Sequence, residues 1–300
     1  MQKIVPNLWF DHNAAEAANF YASVFPEAHV TSTQYYPSEG LADFQQEFAG
    51  KELIVEFEIG GYRFVAINAG PQFAINPSVS FMLNFDPSND SAARERLDEV
   101  WTSLAEGGHV LMPLGEYAFS QRYGWIQDRY GVSWQLILTD PAGEPRPFVI
   151  PTWLFGDGVQ NRAGEAVDFY TSVFPGTRVG NLMRYSEQVG PATPGSVMFC
   201  DLEILGQLFV AMDSGAEQDF SFNCGVSLML ECADQAELDY YWNQLSSVPE
   251  AEQCGWCADR FGVSWQVVPA NLGELMQAPD AYQTLMGMKK IDIAAFTAES

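Results

Sequence analysis

Tyr123–Ile137 reads YGWIQDRYGVSWQLI, and it returns at Cys254–Val268 as CGWCADRFGVSWQVV. Nine of the fifteen positions are identical, among them Gly-Trp, Asp-Arg and Gly-Val-Ser-Trp-Gln. Identity at that level marks an internal repeat. Each copy predicts a strand, a turn and a second strand. Asp128-Arg129-Tyr130-Gly131 supplies the turn, because Asp can bond its own backbone and Gly tolerates positive φ. The run Val132–Leu136 alternates apolar with polar, the period of a half-buried strand. Val132, Trp134 and Leu136 take one face; Ser133, Gln135 and Ile137 take the other.

Working outward, the elements before the hairpin fall into the same order twice within the first half. Ile4–Phe10 predicts a strand and Ala14–Phe25 a helix. Ala17, Phe20, Tyr21 and Val24 form one apolar stripe on that helix, and Pro26 ends it. Strands follow at Val30–Tyr36, Leu53–Ile59 and Tyr62–Ala69. The pattern restarts with a strand at Ser78–Phe85, a helix at Ser91–Ala105, a short strand at Val110–Leu114 and the hairpin. The second half repeats the first: EAANFYASVFP from Glu16 and EAVDFYTSVFP from Glu165 agree at eight of eleven positions. Its helix-to-hairpin spacing is 18 residues shorter, in part because it lacks a counterpart of Gly108–Arg122. The expected organisation is a domain over 1–140, a linker at 141–147, a domain over 148–270 and a helical tail over 271–300.

Lys plus Arg number 14 and Asp plus Glu 39, a net charge of −25. That field repels phosphate backbones and anionic lipid surfaces, which argues against nucleic-acid and membrane partners. No apolar run of about eighteen residues predicts a membrane helix, and the N-terminus carries no signal-peptide pattern. All five cysteines lie after residue 199. An odd count points to a reducing, cytoplasmic setting. Cys254-Gly-Trp-Cys257 has redox or zinc spacing. It falls on a predicted strand with no second Cys pair, so two buried thiols are expected.

The helix motif E-A-x-x-F-Y-x-S-V-F-P, the strand FVAINAG and the hairpin motif G-W-x-x-D-R-[YF]-G-V-S-W-Q resemble one known family. It is the PhnB-like branch, labelled 3-demethylubiquinone-9 3-methyltransferase-like, of the vicinal oxygen chelate (glyoxalase/bleomycin resistance) superfamily. The resemblance covers nearly the whole chain, twice. It implies an α+β fold of paired βαβββ modules forming two eight-stranded, half-open cups. It also implies a pseudo-dimer within one chain, compatible with a monomer. The methyltransferase label has no support in the residues, since no G-x-G-x-x-G follows an early strand.

The superfamily's metal enzymes carry about four His, Glu or Gln ligands in the cup. Residue by residue, those positions fall here near Ile4 or Pro6, Ser78 or Ser80, Ala66 and Gln135, with Gln266 as the last position in the second half. One amide is not a chelate, so no metal and no other cofactor is expected. Trp125, Gln127, Gln135, Asn68 and Ser80 would make an aromatic pocket with a few hydrogen-bonding groups, the usual make-up of a small-molecule site. Trp256 and Gln266 are their second-half counterparts. Tyr117 and Arg122 lie in the segment the second half lacks and are candidates for binding an anion at the mouth. Trp134 and Trp265 are expected to pack helices on sheet. Three functions stay open: metal-free binding of a small organic molecule in the first cup; an enzyme of the superfamily type, as a metal-dependent lyase or isomerase or a methyltransferase; and a structural protein with filled cups.

Overall fold

Four βαβββ-type units run along the chain in a computed structural model that describes residues 2–41, 43–278 and 280–296. The first holds β1 (Ile4–Phe10), α1 (Ala14–Val24), β2 (Ala28–Tyr35), β3 (Glu52–Ile59) and β4 (Tyr62–Asn68). The second holds β5 (Val79–Phe85), α2 (Ala93–Ala105), β6 (His109–Tyr117), β7 (Ser120–Gln127) and β8 (Ser133–Leu138). The third holds β9 (Val149–Phe155), α3 (Ala163–Val173), β10 (Arg178–Arg184), β11 (Val197–Ile204) and β12 (Gln207–Asp213). The fourth is shorter: β13 (Val226–Cys232), α4 (Gln235–Leu245), β14 (Trp256–Ala258) and β15 (Ser264–Pro269). A tail carries α5 (Leu272–Leu275), α6 (Ala281–Met286) and a 3-10 turn at Ile293–Phe296. The last four residues of the tail expected over 271–300 lie outside the described residues.

The sheets do not follow the order of the halves. One runs β14-β15-β13-β1-β4-β3-β2 and joins the first module to the fourth. The other runs β10-β11-β12-β9-β5-β8-β7-β6 and joins the second to the third. Each sheet is sewn at its centre by an antiparallel pair of first strands, β1 with β13 and β5 with β9. Eight strands were expected in each; the first sheet has seven, because the fourth module has no counterpart of β6. The tail takes part of that place. Cys254 and Gly255 donate their N–H groups to the carbonyls of Met288 and Lys289 at 2.8 and 2.7 Å. Strand β10 is an exposed edge without an alternating pattern, so its sequence carries no strand signal.

Period-two alternation sorts the side chains. In β5, Val79, Phe81, Leu83 and Phe85 join the main core, while Met82 belongs to a separate cluster with Ile150 and Val210 on the other face. The helices cover the core face of each sheet, and the two sheets share that core. Phe64 of the first sheet meets Phe81 of the second at 4.9 Å between ring centroids, edge to face. Trp134 and Trp265 are fully buried in it, as expected. Helix ends are tied by side chains from strands: Asn68 Oδ1 accepts from the N–H of Ala14 and Asp213 Oδ1 from that of Ala163, satisfying N–H groups left open at the starts of α1 and α3. Asp234 caps α4 by accepting from Glu237 N–H, and the Glu237 carboxylate accepts from Ala233 N–H in return. Among the described residues no helix is long and apolar enough to cross a membrane.

The repeated hairpin motif is a latch. Asp128 Oδ1 accepts from the N–H groups of Tyr130 and Val132, and Oδ2 accepts from Tyr21 Oη–H and Trp134 Nε1–H, all within 3.0 Å. Asp259 repeats the set with Phe261, Val263, Tyr170 and Trp265. Each latch ties a helix of one sheet's module to a turn of the other sheet. The Asp, Gly-Val and Trp of the motif and the Tyr of the helix motif are therefore structural.

Candidate functional site

The face of each sheet turned away from the helices carries part of the predicted site. On the second sheet, alternation puts Tyr123 and Trp125 (β7), Ser133, Gln135 and Ile137 (β8), Ser80 and Met82 (β5), Ile150 and Thr152 (β9), and Val210 (β12) on that face. The structure thus brings together three of the predicted site residues: Ser80, Trp125 and Gln135. Their polar atoms are already engaged. Gln135 accepts from Tyr123 Oη–H at 2.7 Å and donates to Ser80 Oγ at 2.8 Å. Trp125 Nε1–H donates to Ser133 Oγ at 2.7 Å. Burial pushes the Tyr123 hydroxyl well above its ordinary range, so it stays a neutral donor. Asp201 on the same face would be raised by burial. Hydrogen bonds from Arg146 and Asn181 outweigh that and hold it below the usual carboxylate range.

Four predicted residues sit elsewhere or are spent otherwise. Asn68 shares its face with the buried Phe64 and Ala66 and caps α1, so it belongs to the helix side of the first sheet. Arg122 shares its face with Ile126 and pairs with Asp98 of α2 at 2.7 Å. Tyr117 donates to Pro113 O and stacks on Phe119 at the tip of the β6–β7 hairpin. Gln127 donates to the carbonyl of Gly131 at 2.8 Å, which spends it on the turn.

The first sheet presents a different inner face. Asn7 of β1 stands opposite Ser227 of β13, which lies beside Ser264 of β15. Gln266 and Trp256 are register partners one row on. Toward the other edge the row from Asn7 continues through Val65 to Glu56. Trp9 and Trp256 belong to strands three steps apart, ~14 Å in a flat sheet, yet their rings meet at 5.7 Å. The sheet must curl toward its helix-free face, and both rings lean across it. Beneath them Val5, Asn7, Val65, Ser227, Ser264 and Gln266 are buried. On an open sheet such residues would face solvent; here the curl and the two rings cover them, and we call this covered face the chamber.

Its polar groups are not all engaged. Gln266 donates to Ser227 Oγ at 2.8 Å, as Gln135 does to Ser80. The counterpart of Tyr123 is Cys254, so no donor among the described residues reaches Gln266 Oε1. Ser264 Oγ turns to Cys224 Sγ, and Trp256 Nε1–H has no protein acceptor among the described residues. Asn7 is only 3% exposed, and its Oδ1 is buried without a donor. The metal-ligand positions expected at Ile4, Pro6 and Ala66 lie one residue out of phase: these face the core side, and Asn7 and Val65 face the chamber. A lone Asn in the apolar run IVPNLWF, on the parity opposite to the buried Ile4, Leu8 and Phe10, was the available signal.

The superfamily's enzymes hold a divalent ion on this face. Here the corresponding positions carry Asn7, Val65, Ser227 and Gln266, neutral groups at best. Among the described residues no three His, Cys, Asp or Glu side chains converge. Such a set does not suit a divalent ion. The Cys254/Cys257 pair is no alternative: burial raises both thiols, the reverse of an activated redox motif.

Two curled sheets built from paired βαβββ modules define the glyoxalase class of fold. Glyoxalase I from Zea mays superposes over 91% of this chain and 95% of its own, with a TM-score of 0.53 and 11% identity. The chain belongs to the family described as 3-demethylubiquinone-9 3-methyltransferase, whose model matches residues 2–137 and 148–268. It is similar to the PhnB protein from Bacillus cereus, at 35% identity over 46% of this chain and all of that one, with a TM-score of 0.40. A Pseudomonas aeruginosa protein shows 26% identity over 46% of this chain and 98% of its own, with a TM-score of 0.39. A search of curated proteins finds no match.

Proposed function

We propose that this protein binds a small, neutral organic molecule, without a metal, in the chamber of the first sheet. The observation that carries this reading is the contrast between the two inner faces. Asn7 Oδ1 is buried without a donor, and among the described residues Gln266 Oε1 and Trp256 Nε1 have no protein partner, whereas the second-sheet counterparts of the last two, on Gln135 and Trp125, are bonded within the protein. Buried polar groups are normally satisfied, and one left bare costs ~1–3 kcal/mol. A ligand offering a donor to Asn7 Oδ1 would remove that cost, and it could bond Gln266 Oε1 and Trp256 Nε1 as well. Of the carboxylates on this face, Glu231 is paired with Arg63 at 3.2 Å while Glu56 has no ion pair among the described residues, which disfavours an anionic guest.

This moves the expected site from the first cup's Trp125, Gln127 and Gln135 to Asn7, Trp256 and Gln266, and it draws on both halves of the chain. The methyltransferase description of the family gains no support from the residues. The turn after β1 reads Asp11-His12-Asn13, with none of the glycines that let a backbone approach a nucleotide cofactor. The five unbridged cysteines fit a reducing cytosol.

The test is native mass spectrometry of the protein as purified, with tryptophan fluorescence as a second readout. An organic adduct that is lost in Asn7→Leu and Trp256→Phe supports the reading. A stoichiometric metal ion, or an adduct indifferent to both substitutions, overturns it.

A further inference from the structure

Helix α6 bridges structure at the two edges of the curled first sheet. In a flat sheet the outer strands β14 and β2 would stand six steps apart, ~29 Å. Helix α6 has six residues, ~9 Å of rise, yet it reaches structure attached to both edges. On the β2 side, Tyr282 packs into a small cluster with Tyr36, Leu41 and Phe48, and Gln283 Nε2–H donates to Gly40 O at 3.3 Å. On the β14 side, Gln253 Nε2–H donates to Met286 O at 2.8 Å, and Cys254 Sγ lies 3.7 Å from Met286 Sδ. Helix α6 thus ties together structure at the two ends of the curled sheet.

Helix α6 docks by apolar contact, with Ala281 buried in the main core and Leu285 packed against it, whereas the chain beyond it is bonded and ion-paired to the sheet. Downstream, Met288 and Lys289 extend the β14 edge by two backbone hydrogen bonds. Lys289 pairs with Glu252 and Lys290 with Asp239. Ile291 is fully buried, and Gln235 bonds the backbone of Ile291 and of Ile293. Upstream, α5 follows β15 directly. Between these anchors α6 is too short to be stable alone. Asp280, which precedes it, is held in the left-handed region at φ 60°, a conformation costing ~1–2 kcal/mol for a residue with a side chain. Among the described residues its grip on the β2–β3 loop is the Gln283 bond to Gly40 O, a Tyr282–Gln45 hydrogen bond and ring packing, with no ion pair.

We infer that α6 is a seal that swings out between fixed anchors to admit the ligand, while Lys289–Ile291 stays docked. This rests on the reading that the chamber holds a guest. The moving piece is a segment of this chain, and its opening exposes Asn7, Trp256 and Gln266 together.

The experiment places a reporter thiol on the chamber floor with Asn7→Cys and follows its reaction with N-ethylmaleimide by peptide mass spectrometry. Cys200 and Cys232, buried on the helix side, serve as internal controls. Adding Tyr282→Ala and Gln283→Ala is expected to speed the reporter at least tenfold and leave both controls unchanged. An unchanged reporter rate overturns the inference, and so does equal acceleration of all three thiols. A second measurement needs no variant. In native-state hydrogen exchange of the wild-type chain, the N–H of Thr284, bonded to Asp280 O within the seal, should exchange at least a hundredfold faster than those of Cys254 and Gly255 under the anchor. Exchange of all three at one rate overturns it. Neither readout uses a ligand. A chamber that opens but binds nothing would sink the proposed function and leave the seal standing; a bound guest with a static α6 would do the reverse.

Discussion

Tyr21 Oη donates to Asp128 Oδ2 at 2.9 Å, and 107 residues of chain separate the two. Tyr21 comes from a helix on the first sheet and Asp128 from a turn on the second. Tyr170 and Asp259 make the same bond at 2.8 Å in the second half. These bonds hold the two sheets back to back, and they explain why the most regular part of the repeat does not mark a reactive centre.

Removing the Tyr21 hydroxyl should weaken that junction. Tyr21→Phe leaves the ring in the core but takes one of four donors from Asp128, an expected loss of ~1–2 kcal/mol in urea unfolding. Asp128→Ala strips the acceptor from four buried donors at once and should cost more, ~3–5 kcal/mol. Equal stability of Tyr21→Phe and wild type would show that the latch adds nothing.

The same carboxylate sets a pH dependence. Burial pushes Asp128 up to about 6, against the pull of its four hydrogen bonds, and Asp259 moves in the same direction. In the unfolded chain Asp titrates near ~3.9. The folded state therefore binds this proton more readily, and the unfolding free energy falls as pH rises from about 4 to about 6, then levels. The full Asp128 contribution is ~3 kcal/mol, from two units at ~1.4 kcal/mol each. Urea midpoints at pH 5 should exceed those at pH 7.5, and Asp128→Asn should shrink the difference. A midpoint that rises with pH, or a difference untouched by the substitution, contradicts the assignment.

Strand and helix order was legible because each element carries its own period. The latch residues were visible as motifs, though not as bonds between sheets. The pairing of modules was not legible. All four expose the same kind of apolar first strand, and IVPNLWF gives no sign that it will lie against VSLMLEC rather than SVSFMLNF. The side of the sheet was legible wherever parity was followed. Asn68 follows Phe64 and Ala66 at even spacing, and Arg122 precedes Ile126 likewise, so both belonged to the helix side. The bridging by α6 left no sequence signal, since it depends on how far the sheet curls.

Dialysis of the protein against Mn, Zn or Ni, followed by metal analysis, should leave less than stoichiometric ion. The chamber offers Asn7, Ser227 and Gln266, and none of these supplies the charge or imidazole that a divalent ion needs. One ion per chain, lost on Gln266→Ala, would reverse that conclusion.

Asn7 offers the sharpest separation of binding from stability. Leu is close to Asn in shape, and it removes a buried acceptor that no donor reaches. Asn7→Leu should therefore raise the stability of the ligand-free protein by ~1 kcal/mol, read as a higher urea midpoint, while abolishing binding. Gln135→Leu in the second sheet is expected to do the opposite. It strips partners from Tyr123 and Ser80, so stability should drop by ~1–3 kcal/mol while binding in the first sheet persists. If both substitutions destabilise alike, the Asn7 amide is satisfied in solution, and the contrast between the two inner faces no longer picks out a binding site.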